Sequence, residues 1–212
     1  MKKVIAINGS PRKGWNTGTL VEEACKGAAS QGAKTETIEL FGLRYTGCHS
    51  CFGCKLAPNL GRCIIRDGLH AVLKKIREAD ALILGSPIYL GDVSACVRAL
   101  MERLIFQHIS YKTDPPIYKE KETPVLLILT SNCAEEDYAK VGYTQLIKAW
   151  QASFERAIGA TKVLCCGNTW QVNDYDKYAW SMFDLEAKKQ QRATEFPKKC
   201  QEAFKLGADL VL

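Results

Sequence analysis

With 29 Lys and Arg against 23 Asp and Glu, the 212-residue chain carries a net charge of +6. The excess is mild and spread without a basic block, which argues against a nucleic-acid partner. Hydrophobic residues make up 47% of the chain, enough for one domain with a sizeable core, and no apolar run approaches the length of a membrane span.

The start, Met1-Lys2-Lys3, leads into only four apolar residues before Asn8, so it reads as a buried strand and not a signal peptide; the expected location is the cytoplasm. Val4 to Ile7 is continuous apolar sequence, as a strand covered on both faces requires. The loop after it, Asn8-Gly9-Ser10-Pro11-Arg12-Lys13-Gly14-Trp15-Asn16-Thr17-Gly18-Thr19, concentrates donors as no other stretch does. A glycine-containing turn into a helix N-terminus offers unpaired N–H groups and a partial positive charge. Ser10, Asn16, Thr17 and Thr19 add short-range donors, and Arg12 and Lys13 add full charge. The loop therefore reads as the phosphate end of a nucleotide-type cofactor site.

The next helix is expected from near Thr19, with Leu20, Val21, Ala24, Cys25 and Ala28 on its apolar face and Gly32 as its stop. Thr35 to Leu40 reads as a second, more exposed strand near a sheet edge. Residues 41–66 lack periodicity and form a long loop, of the kind that is usually functional. Asp67 is the expected N-cap of a helix buried through Leu69, Val72, Leu73 and Ile76. Ala81 to Leu84 is a third strand ending in Gly85-Ser86-Pro87-Ile88-Tyr89-Leu90-Gly91, and Ser94 is placed to cap the helix after it. Val125 to Leu129 gives the fourth strand, ending in Thr130-Ser131-Asn132. A long helix, roughly Tyr138 to Ile158, precedes the fifth strand at Thr161 to Cys166. From residue 168 onward the chain turns aromatic, then helical and charged, with a break expected at Pro197.

Five strands alternating with helices predict an α/β fold: a doubly wound five-stranded parallel sheet with helices on both faces. A ligand is then expected beyond the carboxyl ends of the strands, at the point where strand order reverses. The cysteine-rich loop follows the second strand, which places it at that same edge. The expected organisation is a domain over residues 1–170, carrying the loop insertion at 41–66, and a helical C-terminal extension over 171–212 packed on it.

Gly9-Ser10-Pro11-Arg12-Lys13 with Asn16-Thr17, taken with Ser86-Pro87-Ile88-Tyr89 and Gly91-x-Val93-Ser94, resembles the NADPH-dependent FMN reductase family of flavodoxin-like proteins. The resemblance covers about the first 170 residues, and the cysteine insertion makes it specifically similar to the iron-sulfur flavoproteins. It implies a flavodoxin-like fold and an FMN phosphate held by Ser10, Arg12, Asn16 and Thr17 with help from Lys13. It further implies an isoalloxazine bordered by Pro87, Ile88, Tyr89 and Gly91, with Thr130 and Ser131 as further candidates. A homodimer or homotetramer with the flavin near a subunit interface is also implied. The residues themselves agree with FMN over a dinucleotide: no Gly-x-Gly-x-x-Gly follows the first strand, and the Walker lysine pattern is missing.

Four of the ten cysteines fall in one short stretch, Cys48-x2-Cys51-x2-Cys54-x8-Cys63. In a reducing compartment these are not a disulfide framework. Four thiolates on one loop suit a soft metal, and the run of three favours a 4Fe-4S cluster over zinc, whose knuckles are usually set further apart. Zinc and a cluster-free thiol loop stay open as alternatives. The last gap is longer than is usual in the iron-sulfur flavoproteins, and Arg66-Asp67-Gly68 stands where many relatives carry paired acids. His49, inside the run, reads as an exposed loop residue. The other six cysteines lie in apolar stretches and read as small hydrophobes.

The expected function is an FMN-dependent oxidoreductase passing electrons from ferredoxin or NAD(P)H to a small acceptor such as a quinone, an oxygen species or free flavin. A cluster-free NAD(P)H-dependent FMN reductase and a non-enzymatic flavodoxin-like carrier are the alternatives. No acid–base residue is expected, because no His/Asp or Cys/His arrangement is visible and flavin reduction does not demand one.

Overall fold

A computed structural model describes residues 1–212. Strands β1 (Lys3–Asn8), β2 (Lys34–Glu39), β3 (Ala81–Tyr89), β5 (Val125–Thr130) and β6 (Thr161–Cys166) form a parallel sheet in the order β2-β1-β3-β5-β6. The two-residue strand β4 (Asp92–Val93) folds back antiparallel on the end of β3, adding a sixth strand to the five expected. The helices are α1 (Asn16–Ser30), α2 (Gly68–Glu78), α3 (Ala95–His108), α4 (Tyr143–Ala157), α5 (Leu185–Gln190) and α6 (Phe196–Asp209).

Strand composition follows position. The central strands β1, β3 and β5 are buried along nearly their whole length, because helices cover both of their faces, and they are accordingly almost wholly apolar. Edge strand β2, Lys-Thr-Glu-Thr-Ile-Glu, has no fully buried residue. One face of the sheet packs against α2, α3 and α4 through residues such as Leu73, Ile76, Leu100, Leu104 and Phe154. The other face packs against α1 and α6 through Leu20, Val21, Ala24, Phe196, Ala203 and Leu210.

Helix α6 lies on α1 at backbone distance. A Cβ on Gly27 would stand 1.8 Å from the carbonyl oxygen of Phe204, and one on Gly207 would stand 1.9 Å from that of Ala24. The terminal helix thus fills half of one sheet face, and residues 196–211 contribute directly to the core.

Three elements depart from expectation. Helix α1 begins at Asn16, three residues early, so Asn16 and Thr17 sit in its first turn. Helix α4 begins at Tyr143, after Gly142 adopts φ 83°, a left-handed conformation that interrupts the expected continuous helix. The break at Pro197 is absent. Leu185 to Asp209 is one helical path in which Gln191–Glu195 forms a π turn, and Pro197 falls in the first turn after it. The wider register of the π turn accommodates a residue that has no N–H to give.

Candidate FMN and thiol site

The carboxyl ends of the strands form a row at one edge of the sheet. Asn8 is level with Glu39 of β2 and Gly85 of β3, while Pro87 is level with Thr130, which is level with Cys166. Gly9 passes so close to β3 that a Cβ there would meet Val97 Cγ2 at 2.0 Å and the Gly85 oxygen at 2.9 Å. Its N–H donates to that oxygen at 2.9 Å, which turns the chain into the donor-rich loop.

Within the loop, the Ser10 amide donates to Asn8 Oδ1 at 3.1 Å, and the Arg12 amide donates to Ser10 Oγ at 3.2 Å. Trp15 occupies the N-cap position of α1 without a side-chain acceptor. No acceptor in the chain takes the amides of Asn16, Thr17 and Gly18. Three parallel free N–H groups at the positive end of a helix are what a phosphate monoester requires. The loop therefore suits the terminal phosphate of FMN.

The side chains converge there in part. Thr17 is buried, and its hydroxyl meets that of Thr130 at 2.7 Å. Asn16 donates through Nδ2 to the Trp170 carbonyl at 2.7 Å. The exposed Arg12 lies over the Trp15 ring, its guanidinium carbon 4.6 Å from the centroid, and bonds to the Gln171 carbonyl. Thr19 turns back to the Gly14 carbonyl at 3.2 Å, and Lys13 is exposed.

The second motif proves to be strand, because β3 continues through Ser86, Pro87 and Ile88 to Tyr89. Leu90 and Gly91 then make the hairpin into β4 at φ 49° and 82°. A fully exposed leucine in the left-handed region is strained, and it holds the tip of the hairpin out in solvent. Pro87 and Ile88 are buried, while Tyr89 is 44% exposed. Ser94 stands at the N-cap position of α3 but does not cap it. Its hydroxyl donates to Gly9 O at 2.8 Å, and its amide donates to Ser86 Oγ at 2.9 Å. One serine therefore ties the two motifs together. Ser131 points into its own loop, to Cys133 O at 2.6 Å and the Tyr138 hydroxyl at 2.8 Å.

The segment after β6 supplies groups that the sequence did not single out. Besides the carbonyls of Trp170 and Gln171, Arg192 from the π turn donates to Asn16 Oδ1 at 3.1 Å. These contacts span more than 150 residues, and no local pattern signals them.

The cysteine loop lies along α3. The Cys48 amide donates to Glu102 Oε2 at 3.3 Å and the Cys63 amide to Gln107 Oε1 at 3.0 Å, while Lys55 bonds to the Phe106 carbonyl. Tyr45 donates to the Cys96 carbonyl at 3.0 Å, and the Cys96 thiol lies 3.6 Å from the Gly9 oxygen. This chain of contacts runs from the base of the cysteine loop to the start of the donor-rich loop. Cys48, Cys51, Cys54 and Cys63 line one pocket, and burial pushes the Cys54 thiol up in pKa. No three His, Cys, Asp or Glu side chains converge closely enough to hold a single metal ion. Four soft thiol donors lining one pocket are, by their chemistry, a donor set for an iron-sulfur cluster or a thiolate-bound zinc ion. His49 is exposed and pairs with the Thr46 hydroxyl at 2.7 Å.

Comparison with known proteins agrees with this geometry. The family model for NADPH-dependent FMN reductase matches residues 2–134. An iron-sulfur flavoprotein of Methanocaldococcus jannaschii is 46% identical over 101 residues, covering 48% of this chain and 51% of that protein. The chain spans about half the length of the curated relatives it matches. Among solved structures, the NAD(P)H:quinone oxidoreductase from Methanothermobacter marburgensis superposes with a TM-score of 0.73 at 13% identity, covering 99% of this chain and 98% of that one. An FMN-dependent NADH-azoreductase from Bacillus anthracis, in complex with FMN, gives 0.66 at 12% identity with both chains covered in full. The fold is that of these flavodoxin-like proteins, and the chain belongs to the NADPH-dependent FMN reductase family.

Proposed function

We propose that the protein is an FMN-dependent oxidoreductase of the iron-sulfur flavoprotein type, taking electrons from ferredoxin or NAD(P)H and giving them to a small acceptor such as a quinone or an oxygen species. The observation that carries the reading is the N-terminus of α1, whose three free amides stand beside Ser10 and Thr17 and are tied to the second motif through Ser94. FMN, when bound, supplies the exchange between one-electron and two-electron carriers. The chain's own part is to bind and orient. The α1 amides, Ser10, Arg12, Asn16 and Thr17 hold the phosphate, Lys13 adds positive charge and Thr19 braces the loop. Pro87, Ile88, Tyr89 and Gly91 border the ring system, with Thr130 at its side and Ser131 fixing the loop behind. Cys48, Cys51, Cys54 and Cys63 hold a 4Fe-4S cluster whose thiolates, on a loop packed against α3, lie on the way to that edge.

A homodimer or homotetramer is supported by the exposed Phe52, Leu56, Ile64 and Tyr111 around the cysteine loop. No helix is long and apolar enough to cross a membrane. One second reading is a cluster-free NAD(P)H-dependent FMN reductase, supported by the match of the NADPH-dependent FMN reductase family model over residues 2–134.

The test is anaerobic purification followed by an absorption spectrum, iron and sulfide counts, and NAD(P)H oxidation with a quinone acceptor. Flavin bands with about four iron atoms per chain support the first reading. Flavin without iron, together with NAD(P)H turnover, selects the second. No flavin after incubation with FMN overturns both.

A further inference from the structure

Arg103 has the least exposed of the large charged side chains in the protein: its residue is 1% exposed and its side chain 0%. Long basic side chains normally keep their head group in water, so full burial needs a reason. The hydrogen bonds supply part of it. Nη1 reaches the Asp67 carboxylate at 2.6 and 2.8 Å and the Thr46 carbonyl at 3.2 Å, and Nη2 reaches the Ile65 carbonyl at 3.0 Å. Thr46 lies two residues before Cys48, and Ile65 lies two residues after Cys63. One guanidinium from α3 thereby fastens both ends of the cysteine loop, and Asp67 extends the clasp to the N-cap of α2 through the Leu69 amide at 3.0 Å.

These contacts leave one of its three nitrogens without any partner. Arg103 Nε is buried and has no hydrogen-bond partner in the chain. An orphaned N–H on a buried cation is costly and calls for a partner. Arg103 lines the same pocket as the four cysteines. Cys63 is its thiol neighbour there, within reach of the guanidinium for hydrogen bonding as well as charge attraction.

We infer that Arg103 is a positioning residue for the four-cysteine site: it sets the span of the loop and presents its Nε–H to the sulfur atoms of an anionic, thiolate-bound iron-sulfur cluster. The inference rests on the reading of the loop as a cluster site. A buried cation and an N–H···S bond both favour the more negative, reduced state, so Arg103 raises the reduction potential of the group it faces. The clasp also slows loss of iron, since a loop tied at both ends cannot open one ligand at a time.

Arg103→Lys and Arg103→Gln separate the two roles. Lysine keeps the charge and the Asp67 partner but lacks the Nε donor; glutamine loses the charge as well. Both variants and the wild type are reconstituted anaerobically with iron and sulfide. FMN content is measured as the folding control, iron release to a chelator is timed, and the reduced fraction is followed by EPR in a redox titration. The expected result is a reduced-to-oxidised ratio at fixed poise lower by several-fold in Arg103→Lys. In Arg103→Gln the drop is about tenfold, equivalent to about 59 mV for a one-electron couple, with iron released several-fold faster. If Arg103→Gln fails to bind FMN, Arg103→Lys carries the test. A clustered wild type with an unmoved poise in Arg103→Lys overturns the inference alone. A wild type that takes up no iron while binding FMN overturns the cluster reading and this inference with it.

Discussion

Gly27→Ala tests whether the terminal helix belongs to the core, and its sign is diagnostic. In an isolated helix, replacing a mid-helix glycine by alanine stabilises by about 0.5–1 kcal/mol. Here the new methyl would stand 1.8 Å from Phe204 O, 2.7 Å from its carbon and 2.9 Å from the Ala208 nitrogen. All three are backbone atoms, so no rotamer change relieves the clash. An ordinary carbon–oxygen contact is about 3.3 Å, so α1 and α6 must separate locally by about 1.5 Å. Such overpacking costs about 1–3 kcal/mol, and rigid backbone on the receiving side puts this site at the upper end. Set against the propensity gain, the net loss is about 2 kcal/mol, or a Tm lower by about 4–8 °C for a chain of this size. Circular-dichroism melts and urea titrations, with and without FMN, measure it. Gly207→Ala meets the Ala24 carbonyl in the same seam, so the double variant is expected to lose less than the sum of the singles. A Gly27→Ala protein as stable as the parent, or more so, refutes the reasoning and detaches residues 196–209 from the fold.

Arg12→Ala is expected to weaken FMN binding by about 1.5–3 kcal/mol, the range of a charge-assisted hydrogen bond, as read by flavin fluorescence on titrating the apoprotein; unchanged affinity places Arg12 outside the site. Asp67→Asn breaks the carboxylate's pairing with buried Arg103 and is expected to cost about 3–5 kcal/mol at neutral pH. Burial would raise the Asp67 pKa, but bonds from Arg103 and the amides of Thr46 and Leu69 outweigh it and hold the carboxyl below its ordinary value. Its contribution is therefore present above the unfolded value near 3.9 and lost as pH falls through the lower folded one. Acid titration of stability is expected to show that loss in the parent and not in Asp67→Asn.

Lys188 is 2% exposed and held by Asn132 Oδ1 at 2.6 Å and Asn168 Oδ1 at 3.0 Å without a carboxylate, and burial lowers its pKa. Between that lowered value and about 10.4 the unfolded chain binds more protons. The stability of the parent is thus expected to rise with pH in this window relative to Lys188→Met, and equal slopes in denaturant titrations from pH 8 to 10.5 refute the assignment.

Much of the sheet edge was legible because its signals are local. The apolar runs at Val4–Ile7, Ala81–Leu84 and Val125–Leu129 announce buried parallel strands, and the donors between Ser10 and Thr19 announce an anion site, within windows of about a dozen residues. The sequence places Asp67 as an N-cap, and its carboxylate does accept from the Leu69 amide. Ser94 carries the same local signal and does something else: its hydroxyl goes to Gly9 O across 85 residues. A hydroxyl before a helix has two ways to be satisfied, and the choice depends on which acceptor the fold brings near.

The sequence alone determined the alternation of strands and helices, the position of the phosphate loop and the grouping of four thiols, because periodicity, turn chemistry and spacing are properties of neighbouring residues. The tertiary structure decided the rest. It laid residues 196–211 into the core through two glycines that meet backbone, and brought the carbonyls of Trp170 and Gln171 and the side chain of Arg192 to the loop at Arg12–Asn16. It also buried Arg103 where it closes the cysteine loop. Each of these rests on contacts between segments far apart in the chain. Glycine, a backbone carbonyl or an arginine within a helix carries no mark of the distant partner it will meet.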